Sequence, residues 1–280
     1  MTEVDKILPQ ISKRARELGY NIQHFQKLFF LEHFLKQISE SDYGHYFVLK
    51  GGFEIQSLVG IENRMTQDLD AIYIGPTLQP NRLKTILNEV FEKSDDYIGF
   101  SIKSIVQKQL DDDYPGIRVT LLAKMGKSKI NVKLDISKGN HYETIPITLN
   151  HKSILNSDES FKIYAIPVEK ILADKLSAFL NHGMLNTRAK DLFDVYSLSI
   201  LYQQDIQQTL LTKEFFKSAA FDHIPTKTVE NRVSEINALS NSESLCTSWQ
   251  QYRRQYDYAK ELDYTTVLET LLNLTKKIKD

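Results

Sequence analysis

The chain has 280 residues, of which 41% are hydrophobic and 25% charged, a composition typical of globular proteins. Its length allows one large domain or two modest ones. The 35 basic and 36 acidic residues give a formal net charge of -1, so nucleic-acid binding would need a local basic patch. The single cysteine, Cys246, excludes a disulfide framework and a thiolate metal site.

The N-terminal stretch predicts no targeting signal, because Glu3, Asp5 and Pro9 interrupt it. No stretch reaches the ~18 consecutive apolar residues that a transmembrane helix needs. A lone cysteine also fits a reducing compartment. These features together predict a cytoplasmic protein.

Helix and strand patterns alternate in the front of the chain. Apolar residues at three- and four-residue spacing predict helices over 25–35 and 78–91. Apolar or alternating runs predict strands over 47–50, 68–74, 99–106, 117–123, 130–136 and 142–149. Beyond Pro167 the composition is strongly helical. We therefore predict an α+β fold, with a mixed sheet in residues 1–160 and a helical domain in residues 161–280.

Asp68 and Asp70 open one of the predicted strands. Residues two apart in a strand point to the same face, so both carboxylates project together. Neighbouring carboxylates raise each other's pKa unless a cation neutralises them, and a hard divalent ion with oxygen ligands suits that task. The alternative is a surface turn with two solvated acids.

A third carboxylate, Asp135, lies on the polar face of the predicted strand over 130–136. If this strand pairs beside the strand of Asp68 and Asp70, three carboxylates share one open face. Three acids are enough to hold two metal ions for in-line displacement at phosphorus. The alternative is an ordinary exposed strand acid.

Lys50, Gly51 and Gly52 stand between a predicted strand and a short helix. Paired glycines let the backbone approach a ligand closely, and the N–H groups at a helix start attract phosphate. The alternative is a simple tight turn.

In the helical half, Lys175 lies within an inward-facing apolar stripe, and Asp191 is turned partly inward one helical turn before Val195. A buried ammonium without a partner is costly, so Lys175 should meet an anion. A Lys175–Asp191 salt bridge joining two helices would explain both residues without catalysis. Lys175 could also extend its ammonium from the edge of the stripe to solvent.

These residues resemble a known family. The run Lys50-Gly51-Gly52-Phe53, followed by Arg64-Met65-Thr66-Gln67-Asp68-Leu69-Asp70, is similar to the KGGT…R-x-S/T-x-D-L-D signature of AbiEii/AbiGii-type nucleotidyltransferase toxins. A second signature, E…K…R-x-x-D-L-x-D, resembles the pattern formed by Glu169, Lys175, Arg188, Asp191, Leu192 and Asp194. The resemblance spans roughly residues 45 to 200. Phe53 departs from it, because the family usually has a hydroxyl residue there.

The resemblance implies a DNA-polymerase-β-like nucleotidyltransferase core and a helical domain that completes the active site. It implies a metal-dependent toxin that moves a nucleoside monophosphate from an NTP to the 3′ acceptor end of tRNA, which inhibits translation during phage abortive infection. The antitoxin partner would be a DNA-binding transcriptional repressor. A protein or small-molecule acceptor, or a catalytically silent nucleotide-binding module, remains an alternative.

The candidate site follows from the signatures and from strand alternation, which alone supplies Asp135. The expected ligands of Mg²⁺ or Mn²⁺ are Asp68, Asp70 and Asp135. The expected nucleotide-binding residues are Lys50, Gly51, Gly52, Arg64 and Lys175. Lys175 would neutralise the leaving pyrophosphate, and Asp191 would position Lys175 or contact the nucleotide.

Three basic stretches are candidates for RNA binding. They comprise Lys13, Arg14 and Arg16; Lys124, Lys127, Lys129 and Lys133; and Trp249, Tyr252, Arg253, Arg254 and Tyr256. The third mixes cations with aromatic rings, which suits stacking on single-stranded ends. Each could equally be a solvated helix face or strand edge.

Overall fold

The computed structural model describes residues 3–93, 97–108, 116–139, 144–225 and 228–279. The chain forms two compact units, residues 1–166 and 167–280. The first residues of the predicted strand over 142–149 lie outside the described ranges. The boundary predicted near residue 160 falls at the first residue of a strand that belongs to the first unit.

The first unit combines helices with one mixed sheet. Its helices are α1 (Glu3–Glu17), α2 (Ile22–Ser39), α3 (Gly51–Val59) and α4 (Pro80–Glu92). Its strands are β1 (Phe47–Lys50), β2 (Leu69–Tyr73), β3 (Gly99–Gln107), β4 (Gly116–Met125), β5 (Ser128–Lys138), β6 (Ile147–Lys152) and β7 (Ser160–Ala165). Across the described residues, the sheet order is β3-β4-β5-β2-β1-β7-β6. The pairs β2–β5 and β1–β7 are parallel, and the other neighbours are antiparallel.

One face of the sheet is covered by helix α2. Phe34, Leu35 and Ile38 of this helix lie against apolar side chains of β1, β2 and β5. Alternation along each strand puts the polar residues on the opposite face. The apolar face therefore anchors the strands, and the polar face is left to carry the candidate site.

The second unit consists of helices. They are α5 (Val168–His182), α6 (Ala189–Leu201), α7 (Gln208–Phe221), α8 (Val229–Ala238), α9 (Glu243–Gln255) and α10 (Tyr264–Lys277). The predicted apolar stripe of α5 is confirmed, since Ile171, Leu172, Leu176 and Phe179 are all buried. In the parts of the chain that the structure describes, no helix is both long and apolar enough to cross a bilayer. The α+β prediction is confirmed.

Candidate active site

One row of charged side chains crosses four strands of the sheet. In the register of the strands, Lys50 of β1 pairs with Asp70 of β2, Asp70 with Asp135 of β5, and Asp135 with Arg118 of β4. Directly paired residues point to the same face. Two carboxylates therefore lie side by side, with a cation at each end of the row. The predicted pairing of the two acidic strands is confirmed.

Asp70 is a carboxylate whose charge the surrounding residues compensate only in part. Burial raises the pKa of this carboxyl, and the neighbouring Asp135 and Asp68 raise it further. Lys50 and Lys108 lower the pKa, but the net shift is upward from the ordinary value. A raised pKa means that the surroundings of Asp70 disfavour its negative charge. A cation bound there would relieve that penalty.

Asp135 already has cationic partners. It accepts hydrogen bonds from Arg118 Nε at 2.8 Å and Nη2 at 2.6 Å, and from Lys108 Nζ at 3.0 Å. Burial alone would raise the pKa of Asp135, but Arg118 and Lys108 hold it below the ordinary value. Asp135 is therefore ionised at neutral pH, with both carboxylate oxygens engaged.

Asp68 precedes β2, and its side chain is 62% exposed. Lys27 Nζ approaches it to 3.4 Å. The described residues contain no group of three or more His, Cys, Asp or Glu side chains arranged to hold a metal ion. Asp68 and Asp70 nevertheless offer the hard oxygen donors that Mg²⁺ prefers, and the excess charge at Asp70 fits such an ion. Asp135 could bind the same ion only after its hydrogen bonds with Arg118 and Lys108 were broken.

The glycine turn packs directly against this acidic row. Gly51 has φ of +71°, and a Cβ at this position would lie 2.7 Å from Asp70 Oδ2. A Cβ at Gly52 would lie 2.7 Å from Thr66 Oγ1. Both positions therefore need glycine. Helix α3 begins here without a side-chain cap, so its first N–H groups present a partial positive charge beside the carboxylates.

Arg64 supports the turn from inside the protein. It is only 1% exposed, and its Nη1 donates a hydrogen bond to the Met65 carbonyl at 2.6 Å. The Thr66 N–H donates to Gln56 Oε1 at 3.2 Å, which ties the same segment to α3. This burial favours a role of Arg64 in orienting the acidic strand over the direct contact with the nucleotide that the sequence predicted.

Phe53 does not face the turn. It is fully buried, and its ring lies 5.5 Å from the ring of His151 between centroids. The side chain at position 53 thus fills the core. The backbone N–H groups of Gly51 and Gly52 do not depend on it for their direction.

The second unit contains a compact ion cluster around Lys175. The ammonium of Lys175 contacts Asp191 Oδ1 at 2.5 Å and Asp194 Oδ2 at 2.9 Å, and Arg188 contacts Asp191 Oδ2 at 3.3 Å. Burial alone would lower the pKa of Lys175, but Asp191 and Asp194 outweigh it and raise this pKa. Burial would raise the pKa of Asp191, but Lys175 holds it below the ordinary value. Lys175 and Asp191 are therefore both charged at neutral pH.

This cluster includes the salt bridge between α5 and α6 that the sequence allowed as a structural alternative. Asp194, which is 1% exposed, was missing from the predicted site residues. Its spacing of three residues after Asp191 could have revealed it, because that spacing puts both acids on one helix face. The convergence of Lys175 and Asp191 with the acidic row on one nucleotide stays a prediction.

Two of the three predicted RNA-binding stretches are poorly suited to that role. Trp249 is fully buried and Tyr252 is 7% exposed, so these rings pack the core of the second unit and offer no stacking surface. Arg253 donates to the Lys260 carbonyl. In the first stretch, Arg14 forms an ion pair with Glu62 at 2.5 Å. The lysines of β4 and β5 are different and are described below.

A strand that ends in a glycine turn and a helix, beside a strand with paired carboxylates in a mixed sheet, matches the nucleotidyltransferase core that the resemblance implies. The family model "Nucleotidyl transferase AbiEii toxin, Type IV TA system" matches residues 33–270. The chain belongs to this family of toxins of toxin–antitoxin systems.

Solved structures agree with the fold. A candidate nucleotidyltransferase from H. pylori matches with a TM-score of 0.52 and 17% identity over 91% of this chain and 94% of its own. JHP933 from Helicobacter pylori matches with a TM-score of 0.54 and 17% identity over 91% of each chain. At this identity the likeness concerns the fold alone. No curated protein sequence matches the chain.

Proposed function

We propose that the protein transfers a nucleoside monophosphate from an NTP to RNA, at the 3′ acceptor end of tRNA, and thereby inhibits translation and bacterial growth in phage abortive infection. Membership of the AbiEii family supports nucleotidyl transfer and the toxin role. The structural observation that carries the proposal is the incompletely compensated charge of Asp70 directly beside the Gly51–Gly52 turn.

The turn provides the nucleotide-binding groups of the first unit. The N–H groups of Gly51 and Gly52 at the start of α3 donate to the β- and γ-phosphates, as helix N-termini do for anions. Lys50 adds a positive charge one strand away from Asp70. Because Lys50 already lowers the pKa of Asp70, it lies within electrostatic reach of any phosphate bound there.

Asp68 and Asp70 are the proposed ligands of a divalent cation, Mg²⁺ or Mn²⁺. When bound, such an ion neutralises charge on the α-phosphate and on the pyrophosphate leaving group. The hydroxyl oxygen of the acceptor forms the new bond to the α-phosphorus, and the bond to the bridging oxygen of the β-phosphate breaks. Asp135 orients the hydroxyl and accepts its proton once phosphate has drawn Arg118 and Lys108 away.

Lys175 remains protonated because Asp191 and Asp194 raise its pKa. Its proposed role, based on the second family signature, is to neutralise the pyrophosphate, while Asp191 holds the ammonium in place. Positive side chains that stabilise developing phosphate charge contribute strongly to such transfers. The antitoxin that the family implies is proposed to be a DNA-binding transcriptional repressor encoded nearby.

The test is incorporation of labelled nucleotide from each NTP, with Mg²⁺, into a mixture of bulk tRNA, cellular protein and small-molecule acceptors. We expect label in tRNA with the wild type, none with Asp70→Asn, and wild-type labelling with Asp158→Asn, which changes an exposed loop acid. Label in protein or in a small molecule would contradict the RNA acceptor. Nucleotide binding without any turnover would contradict catalysis.

A further inference from the structure

The strands β3, β4 and β5 form a wing of the sheet whose polar face is open to solvent. Residues Lys129, Lys133 and Asp135 of β5 are separated by even numbers, so they share this face. The register adds Lys124 opposite Lys129 and Arg118 opposite Asp135. We call this surface, formed by Arg118, Lys124, Lys129 and Lys133, the lysine face. It continues along β5 into the acidic row of the candidate site.

Arg118 is ion-paired with Asp135, but the three lysines of the lysine face have no acidic partner among the described residues. Lys124, Lys129 and Lys133 are exposed, and among the described residues none of them forms an ion pair. By contrast, exposed Lys93 pairs with Asp42 at 3.0 Å. Lys124 and Lys129 even stand directly opposite each other in the β4–β5 pair, an arrangement that destabilises a sheet unless an anion relieves it.

The lysine face is long enough and positively charged enough to bind the backbone of a single-stranded polynucleotide. The seven residues from Lys129 to Asp135 are six steps apart and span about 20 Å at roughly 3.3 Å per residue. At about 3.4 Å per phosphate along a stacked strand, this corresponds to about six nucleotides. Among the described residues, this face carries cations, small polar groups such as Thr120 and Asn131, and the partly buried Leu122, but no aromatic ring. It can therefore bind phosphates but offers no platform for stacking bases.

Arg118 lies where the lysine face meets the candidate catalytic carboxylate Asp135. Its guanidinium is 47% exposed and grips Asp135 through two hydrogen bonds. A phosphate arriving along β5 competes for this planar donor, because guanidinium binds phosphate and carboxylate in the same forked geometry. Binding of the acceptor strand would thus release Asp135 from Arg118 when the hydroxyl arrives, and leave Lys108 as the remaining cationic partner of Asp135.

We propose that the lysine face holds the sugar–phosphate backbone of the RNA acceptor strand, independently of base sequence, and leads its 3′ end to Asp135 and Asp70. This inference rests on the proposed function, since it names the surface by which the RNA acceptor reaches the same site. Of the three basic stretches in the sequence, this is the one whose lysines are all exposed and form no ion pair with the described residues.

The experiment measures binding of the full chain to bulk tRNA and to two single-stranded 12-nucleotide RNAs of unrelated sequence, by fluorescence anisotropy over a series of salt concentrations. The test variant is Lys124→Gln/Lys129→Gln/Lys133→Gln. The matched control is Lys6→Gln/Lys36→Gln/Lys84→Gln, which removes three exposed lysines from α1, α2 and α4. A third variant, Asp70→Asn, separates binding from catalysis.

We expect the test variant to lose about 10- to 100-fold in RNA affinity at ~0.1 M salt, and the slope of log affinity against log salt to fall by about 2, or ~0.7 for each lost phosphate contact. Its NTP affinity should be unchanged. The control and Asp70→Asn should bind both RNAs like the wild type, with equal affinity for the two sequences.

Wild-type affinity and salt slope in the test variant would overturn the inference. If that variant instead escapes neutralisation by the antitoxin while binding RNA normally, the face belongs to an acidic protein partner and the inference is likewise wrong. Loss of RNA binding in the test variant, with no transfer of label to RNA by the wild type, would support the surface and contradict the proposed function.

Discussion

The acidic row of the sheet and the ion cluster of α5 and α6 contain the same residue types but balance their charges differently. Around Lys175, each carboxylate has a cation within contact distance, and the pKa of Asp191 is held below its ordinary value. In the sheet, the cations Arg118 and Lys108 engage Asp135, and the pKa of Asp70 is raised. In the helical cluster, the protein itself supplies a cation for each carboxylate. In the sheet, the negative charge of Asp70 is only partly balanced, so a bound cation can stabilise it.

The largest effect should come from Asp70→Asn. We expect nucleotidyl transfer to fall by at least about 10³-fold, because the variant loses a charge directed at the reacting phosphate. The melting temperature should stay equal or rise at pH 7, since the folded pKa of Asp70 lies above its unfolded value and ionisation therefore opposes folding. Transfer assays and thermal melts of the same preparation check both points.

In the wild type, stability contributed by Asp70 should increase as the pH falls through its raised pKa, and Asp70→Asn should lack this increase. The exposed change Asp158→Asn serves as the control for both measurements. A variant that melts well below the wild type at pH 7 would mean that Asp70 is a structural residue.

Lys175→Met, unlike Asp70→Asn, should lower the stability of the protein. It leaves Asp191 and Asp194 without their shared cation, and removing one partner of a buried ion pair costs about 3–5 kcal/mol in the free energy of unfolding. Adding Asp191→Asn and Asp194→Asn to this variant should restore most of the loss. Chemical denaturation measures both, with Lys276→Met on the exposed side of α10 as the control. A loss no larger than that of the control would show that the cluster is not a structural unit.

Gly51→Ala tests how closely the turn fits the acidic row, with two other glycines as references. Gly51 combines positive φ with a close contact, Gly183 has φ of +51° and open space, and Gly99 has neither constraint. Gly183, with ψ of -136°, lies outside the left-handed helical region, and such sparsely populated backbone costs an alanine about 1–3 kcal/mol. We expect Gly99→Ala to be neutral, Gly183→Ala to lose about that amount, and Gly51→Ala to lose more and to bind NTP weakly. Equal losses at positions 51 and 183 would contradict the contact with Asp70.

Arg118→Gln should produce the smallest change, a rise in the pKa of Asp135. The guanidinium is one of the two cations that lower this pKa, so its removal should move it towards the ordinary value. A carboxyl whose pKa is lowered in the folded protein contributes stability that is lost as the pH falls through this pKa. Since the variant should have a higher pKa at Asp135, its acid unfolding should begin at higher pH. Carboxyl ¹³C NMR measures the shift. Lys133→Gln, on the same face, should leave it unchanged, and a similar shift in both variants would contradict a specific contact.

Strong local patterns in the sequence predicted most of the first unit. The helix over 25–35, the helix over 78–91 and the three strands of the wing are confirmed by α2, α4 and β3 to β5. Helix α1 was missed because Pro9 lies inside it and only Ile7, Ile11 and Ala15 are buried. Strand β7 was also missed, although its buried and exposed residues alternate strictly.

The site was predictable where it depends on spacing within one element. Asp68, Asp70, Gly51 and Gly52 follow from local patterns, but the partners of Asp135 depend on strand register. The Gly126-Lys127 turn places Met125 opposite Ser128, and this register sets Arg118 opposite Asp135. The length of the turn could have predicted the register, but the pairing of Arg118 with Asp135 was not predicted. The burial of Trp249 and Tyr252, by contrast, follows from their helical spacing after Leu245.

The central claim is that Asp70 bears a charge for which the folded chain provides too little compensation. The most direct test is the pKa of the Asp70 carboxyl, measured by ¹³C NMR with and without Mg²⁺ and a non-hydrolysable NTP. The account predicts a pKa above the ordinary value in the free protein and a marked fall when both ligands are added. A pKa at or below the ordinary value, unaffected by Mg²⁺ and nucleotide, would contradict it.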